Sequence, residues 1–235
     1  MVRRQLNLTR NRLLAALPAD EAARLAPNLS ETTLEQHRRL ETPEAAATHV
    51  YFPWGGVCSL TTLMRDGRMV EVGTIGNEGM VGMSVYFGGV LPAALTMVQV
   101  GGPGAHAMRA GVFTAEMARE GPLYHVIRRY SQALLGLIMQ SAACNGLHAV
   151  EQRCARWLLM AHDRVGDTID LTQEYLASML GVRRPSVTEV ARALQARDLI
   201  KYARGRITIL DRRGLEKLSC ECYPVTRANF DRLVP

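Results

Sequence analysis

The chain has no apolar run near the roughly 18 residues of a membrane span, and its opening MVRRQLNLTRNR lacks the apolar core of a secretory signal. No membrane partner is expected, and the expected compartment is the cytoplasm. Cysteines are few, five in all, odd in number and scattered, with none before Cys58. That excludes a disulfide framework and fits a reducing environment. Catalytic patterning is also missing: the carboxylates are dispersed and no Ser/His/Asp or HExxH-like arrangement occurs, so an enzyme is not expected. Gly101-Gly102-Pro103-Gly104 has no helical pattern behind it and reads as a turn rather than a phosphate loop. No internal repeat or low-complexity tract is present.

What remains is a chain of 235 residues, 48% hydrophobic and 21% charged, with a formal net charge of +6 and a pI near 9.3. This length suits two domains, each able to bury a core, and the charge leans basic.

The most organised stretch is LTQEYLASMLGVRRPSVTEVARAL, Leu171 to Leu194. Thr172 can cap a first helix with Glu174 in its first turn, Leu176, Met179 and Leu180 recur at helical spacing, and Gly181 supplies a stop. Pro185 suits a first helical position and disfavours a helical Arg184. Val187, Val190, Ala191 and Leu194 then form one apolar stripe. The pattern predicts a helix-turn-helix with its recognition helix at 185–197. Opposite the stripe lie Arg183, Arg184, Ser186, Thr188, Glu189 and Arg192, residue types that read base edges from a helix set in the major groove. KYARGRITIL follows as two short strands about Gly205, a wing that carries Arg204 and Arg206. From Arg183 to Lys217 there are ten basic residues against four acidic ones, which concentrates positive charge where a winged helix meets phosphate. With Thr172 these nine residues are the candidate contacts to double-stranded DNA.

Upstream, helical patterns at 11–17 and 19–25, punctuated by Pro18 and Pro27, form a lead-in. From Leu34 to about Met108, short apolar runs broken by glycine predict an antiparallel β-domain with Arg65-Asp66-Gly67-Arg68 as its clearest hairpin turn. A short helix is predicted at 111–120 and a long one from Gly121-Pro122 to about Leu147. Along the long helix Ile127, Tyr130, Leu134, Leu137, Ile138, Ser141 and Cys144 recur at threes and fours. That stripe exceeds what one neighbour can cover, so it is expected to join two copies of the chain. Asn145-Gly146 reads as a hinge, and a helix at 149–164 leads into the DNA-binding module. The expected divisions are 1–120, 121–147 and 148–235.

Cys144 and His148 stand four apart, a spacing that could serve a metal, but two ligands do not close a site. Cys220 and Cys222 would close a strained ring poorly. Plain packing is expected for both pairs, with no metal and no cofactor.

This order of parts resembles the Crp/Fnr family of transcription regulators over nearly the whole chain. The most specific likeness is LTQEYLASMLGVRRPSVTEVARALQARDLI with the following RGRITIL, and a looser one is GNEGMVGMSVYFGG, where the family carries its phosphate-binding cassette. The resemblance implies an α+β chain: an N-terminal antiparallel, jelly-roll-like β-roll sensor, a long dimerisation helix and a C-terminal winged helix-turn-helix. It also implies a homodimer on a two-fold symmetric operator, with RNA polymerase as a partner. Cyclic-AMP-binding members hold the ribose with a glutamate and the phosphate with an Arg-Ser pair, and meet the adenine from the dimer helix. Here those places hold Met83, Ala93-Ala94, and Ile138 with Met139, so the effector pocket is degenerate and cyclic AMP is not the expected signal. Where such members read guanine, this chain has Arg184, Pro185 and Glu189, which implies a different half-site. The rival reading is a ligand-binding module that signals through protein contacts without DNA. The basic recognition helix and wing, which such a module does not need, separate the two.

Overall fold

The computed structural model describes residues 6–234, so Met1–Gln5 of the basic opening stretch and Pro235 lie outside the described residues. The two lead-in patterns give α1 (Arg12–Ala15) and α2 (Ala19–Leu25). Asn11 starts the first: its Oδ1 accepts from the N–H groups of Leu13 and Leu14. Its Nδ2 donates to the carbonyls of Pro53 and Gly79, so one fully buried amide ties the lead-in to the sheets.

The β-domain consists of β1 (Ser30–Leu34), β2 (Arg39–Glu41), β3 (His49–Pro53), β4 (Val57–Leu63), β5 (Met69–Ile75), the short α3 (Met83–Tyr86), β6 (Leu95–Val100) and β7 (Gly102–Arg109). They form two antiparallel sheets ordered β1-β7-β3 and β2-β6-β4-β5. The Arg65–Arg68 turn closes β4 on β5: the Met64 N–H donates to the Arg68 carbonyl at 2.8 Å, and Gly67 takes φ +83°. Phe52, Val57, Val98 and Met108 of the strands and Phe113 of the helix that follows them are buried in the core.

The remainder is α4 (Ala110–Met117), α5 (Pro122–Leu147), α6 (Val150–Val165), β8 (Thr168–Asp170), α7 (Gln173–Leu180), α8 (Arg184–Ala196), β9 (Ile200–Ala203), β10 (Arg206–Ile209), α9 (Arg212–Leu218) and α10 (Cys222–Leu233). Of these, β8, α9 and α10 are absent from the reading of the sequence. Pro224 falls in the first turn of α10, where a missing N–H breaks no helical bond.

The apolar stripe of α5 is used differently from the expectation. Ile127, Tyr130, Leu134, Leu137, Ser141 and Cys144 are all at or below 6% exposed within the single chain. The Tyr130 hydroxyl donates to the Met80 carbonyl at 2.9 Å, and its ring centroid lies 6.4 Å from that of Phe230 on α10. Leu137 and Ile138 pack over Gly73 of β5, and Cys144 meets Cys220. The stripe exceeds one neighbour because it has two inside the chain, the β-domain and α10. It is therefore not free to form the seam between two copies. The expected hinge also shifts: α5 runs unbroken through Asn145-Gly146 and ends at His148.

The C-terminal part is docked on the sheets. Arg164 of α6 pairs with Glu78, Nη2 to Oε1 at 2.6 Å and Nε to Oε2 at 3.2 Å. A Cβ on Gly76 would stand 2.3 Å from Arg164 Cδ, so only glycine leaves room for that arm. The Trp157 indole donates to Glu71 at 2.9 Å, and the His37 ring stacks on Tyr175 of α7 at 4.3 Å.

Candidate nucleic-acid interface

Two helices and a turn build the candidate interface. Thr172 caps α7 by accepting from the Tyr175 N–H at 3.4 Å, and Gly181 takes the left-handed φ of +62° that ends it. The Val182 N–H then reaches back to the Ala177 carbonyl at 3.0 Å, which satisfies the last turn. Helix α8 begins one residue earlier than the proline implies: Arg184 is helical, with Pro185 next to it in the first turn and Arg183 as the extended residue before it. Val187, Ala191 and Leu194 are buried against the rest of the module.

The opposite side of α8 carries the candidate contacts. Arg183, Arg184, Glu189 and Arg192 are exposed; Ser186 and Thr188 are half-buried. Thr188 has a structural task, since its hydroxyl lies 2.8 Å from Gln173 Oε1 and 3.2 Å from the Arg184 carbonyl, fastening α8 to α7. Arg184 lies loosely, 4.0 Å from Glu174, and stays 65% exposed.

Strands β8, β10 and β9 form the wing sheet in that order. Arg204 and Gly205 make its two-residue turn with φ of +52° and +75°, the double positive φ of a tight hairpin. This places exposed Arg204 at the tip. Arg206 pairs with Asp170 at 2.7 Å on the surface, and the carboxylate keeps its guanidinium charged.

The stretch that the resemblance assigns to an effector holds a left-handed glycine turn and one short helix. Gly82 takes φ +113°, where a Cβ would stand 2.6 Å from Val50 Cγ1, and α3 starts directly after it at half-buried Met83. Ala93 is exposed and Ala94 half-buried. Ile138 faces β5, whereas Met139 is 65% exposed on the outer side of α5, so these residues do not line one pocket together. One charge buried beside α3 is Glu41, which accepts from Ser84 Oγ at 2.7 Å and Thr96 Oγ1 at 3.1 Å. A carboxylate there repels a phosphate. Sequence reading gave no sign of Glu41, because its neighbours come from segments 43 and 55 residues away.

Among the described residues no helix is long and apolar enough to cross a membrane. No match was found among curated proteins. Residues 152–218 match the family model of the Crp-like helix-turn-helix domain. The whole fold is similar to FixK2 from Bradyrhizobium japonicum, with TM-score 0.68 at 14% identity over 82% of this chain and 98% of that one. It is also similar to a CRP-family transcriptional regulator from Thermus thermophilus, with TM-score 0.66 at 18% identity over 80% and 96%. A third neighbour is CLP, a c-di-GMP-responsive global regulator from Xanthomonas campestris, with TM-score 0.65 at 15% identity over 83% and 100%. The chain thus has the fold of Crp/Fnr-family regulators and carries, at residues 152–218, a Crp-like helix-turn-helix domain.

Proposed function

We propose that the protein binds a pseudo-palindromic DNA operator as a homodimer, with α8 in the major groove and the wing on the backbone, and that it does so without cyclic AMP. The observation that carries this reading is the division of α8 into a buried apolar face and an exposed face bearing Arg183, Arg184 and Arg192, flanked by Arg204 and Arg206. Arg184, one residue into the helix, is positioned to take the two acceptors of a guanine, and the wing arginines to take phosphate.

The dimer face moves to the uncovered side of α5. Arg128, Gln132, Leu135, Met139, Ala142 and Gly146 alternate at spacings of four and three; Leu135 is 58% and Met139 65% exposed. This is a coiled-coil seam with its large apolar residues in solvent until a second copy covers them. Two recognition helices related by that axis would read half-sites about 34–36 Å apart. Cyclic-AMP independence is supported by Met83, Ala93 and Ala94, which offer no cation, and by buried Glu41, which offers the wrong charge.

Selection of bound sequences from a random DNA pool, run with no nucleotide and repeated with cyclic AMP, tests this function. The expected product is one inverted repeat with half-sites one turn apart, enriched equally in both. An unselected pool, or a repeat enriched only with cyclic AMP, would overturn it.

A further inference from the structure

Four side chains that the sequence keeps in two distant pairs meet at one point. Cys144 and His148 stand one turn apart at the end of α5, while Cys220 and Cys222 flank Glu221, with Cys222 the first residue of α10. Their ligating atoms all lie within 4.8 Å of one another. Cys144 Sγ is 3.5 Å from Cys220 Sγ, and Cys222 Sγ is 3.6 Å from His148 Nδ1. The three thiols are at most 2% exposed and form a small cluster separate from the main core.

We propose that Cys144, His148, Cys220 and Cys222 together hold one soft divalent cation of the zinc class, stapling the end of α5 to the start of α10. Three thiols and one imidazole are a complete donor set for such an ion, and four protein ligands with no open position make a structural site rather than a catalytic one. With metal–sulfur bonds of about 2.3 Å, the edge of a tetrahedron of ligands is about 3.8 Å. The separations of 3.5 and 3.6 Å fall just inside that value. A multi-iron cluster needs its ligands further apart than the 4.8 Å ceiling allows.

The surroundings are those of a ligand set rather than of packed thiols. His148 Nε2 lies 3.1 Å from Glu221 Oε2, which turns Nδ1 toward Cys222 and fixes the tautomer, as a carboxylate behind a ligating histidine does. Gln140 Nε2 donates to Cys222 Sγ at 3.0 Å, the kind of hydrogen bond that steadies a thiolate. Hydrophobic packing accounts for three buried sulfurs but not for an imidazole nitrogen aimed among them. All five cysteines are free thiols, and 3.5 Å between Cys144 and Cys220 is far beyond a sulfur–sulfur bond of about 2.05 Å. On binding, each of the three thiols loses its proton to solvent and forms a sulfur–metal bond. The site then carries a net charge of −1, on which the nearby Arg156 guanidinium acts.

The location gives the ion a consequence. His148 caps α5 and α6 begins two residues later, so the site straddles the junction between the long helix and the DNA-binding domain. The ion locks α10 onto α5 and fixes that junction. This inference stands whether or not the chain reads DNA as proposed above.

The test uses the full chain, purified without chelator under reducing, oxygen-free conditions from zinc-supplemented cells. Elemental analysis is expected to give about one zinc per chain. Exchange for cobalt(II) should give the intense visible bands of a tetrahedral ion and thiolate-to-cobalt charge transfer in the near ultraviolet. Cys144→Ser and Cys222→Ser should each lose the ion. Because buried cysteine variants can misfold, the deciding variant is Glu221→Gln, whose exposed side chain leaves the core untouched. It should fold normally and weaken zinc affinity about 10- to 100-fold in a competition titration with a chromophoric chelator. Reduced wild-type protein that takes up neither zinc nor cobalt would overturn the proposal, as would iron with inorganic sulfide at the site. Unchanged zinc affinity in Glu221→Gln would overturn the assignment of His148 Nδ1 as a ligand backed by that carboxylate.

Discussion

Arg164 of α6 grips Glu78, in the loop after β5, through two hydrogen bonds, at 2.6 and 3.2 Å, with both side chains at or below 10% exposed. This pair joins the β-domain to the helix-turn-helix domain. Removing one partner strands a buried charge, so Arg164→Met or Glu78→Gln should each cost about 3–5 kcal/mol in chemical denaturation. Replacing both together should cost less than the sum of the two. Single variants within about 0.5 kcal/mol of wild type would show that the halves do not depend on this contact.

A second contact predicts a pH dependence. Burial pushes the Glu71 carboxyl up to about 7, and the hydrogen bonds it accepts from the Ser59 hydroxyl and the Trp157 indole only partly offset this. Its ordinary value is 4.5, so between about 4.5 and 7 the unfolded chain has released a proton that the folded chain retains. Stability from this group is full below 4.5, falls as pH rises toward 7, and is flat above; the loss is on the order of 3 kcal/mol. Glu78 acts oppositely. Burial alone would raise its carboxyl, but the Arg164 guanidinium prevails and holds it low, so its contribution is lost only as pH falls through its depressed value. Glu71→Gln should abolish the decline between pH 4.5 and 7, followed by Trp157 fluorescence during denaturation. An unchanged slope would show that Glu71 does not retain its proton.

The proposed dimer face gives a third prediction. Leu135→Asp with Met139→Asp places charge on the exposed seam and should yield folded monomers by sedimentation at micromolar concentration. Leu134→Asp with Leu137→Asp strikes the chain's own core and should instead unfold it. A Leu135/Met139 variant that stays dimeric would place the interface elsewhere.

The contrast between those pairs marks what was legible in the sequence. Period and punctuation located α5, the Arg65–Arg68 hairpin, Gly181 and the wing, because each is set by residues within a few positions. The outward face of α5 was not legible. Leu134 and Leu135 are equally apolar, and only the docking of the β-domain and of α10, whose start lies 87 residues beyond Leu135, decides which is covered. The thiol cluster was hidden for the same reason: each half shows two ligands, and the chain must fold back to bring them together. Glu41, Glu71 and Glu78 look like surface carboxylates in the sequence and become buried partners only through strand pairing and helix docking.

The central claim, that α8 reads DNA bases, is tested most directly by the affinity of Arg184→Ala for the selected operator and for a scrambled duplex at several salt concentrations. The variant should lose about 1–3 kcal/mol on the operator and little on scrambled DNA, relaxing one base position, whereas Arg206→Ala in the wing should weaken both alike and reduce the salt slope by about 1. Equal losses of Arg184→Ala on operator and scrambled DNA would contradict the assignment of α8 as the helix that reads sequence.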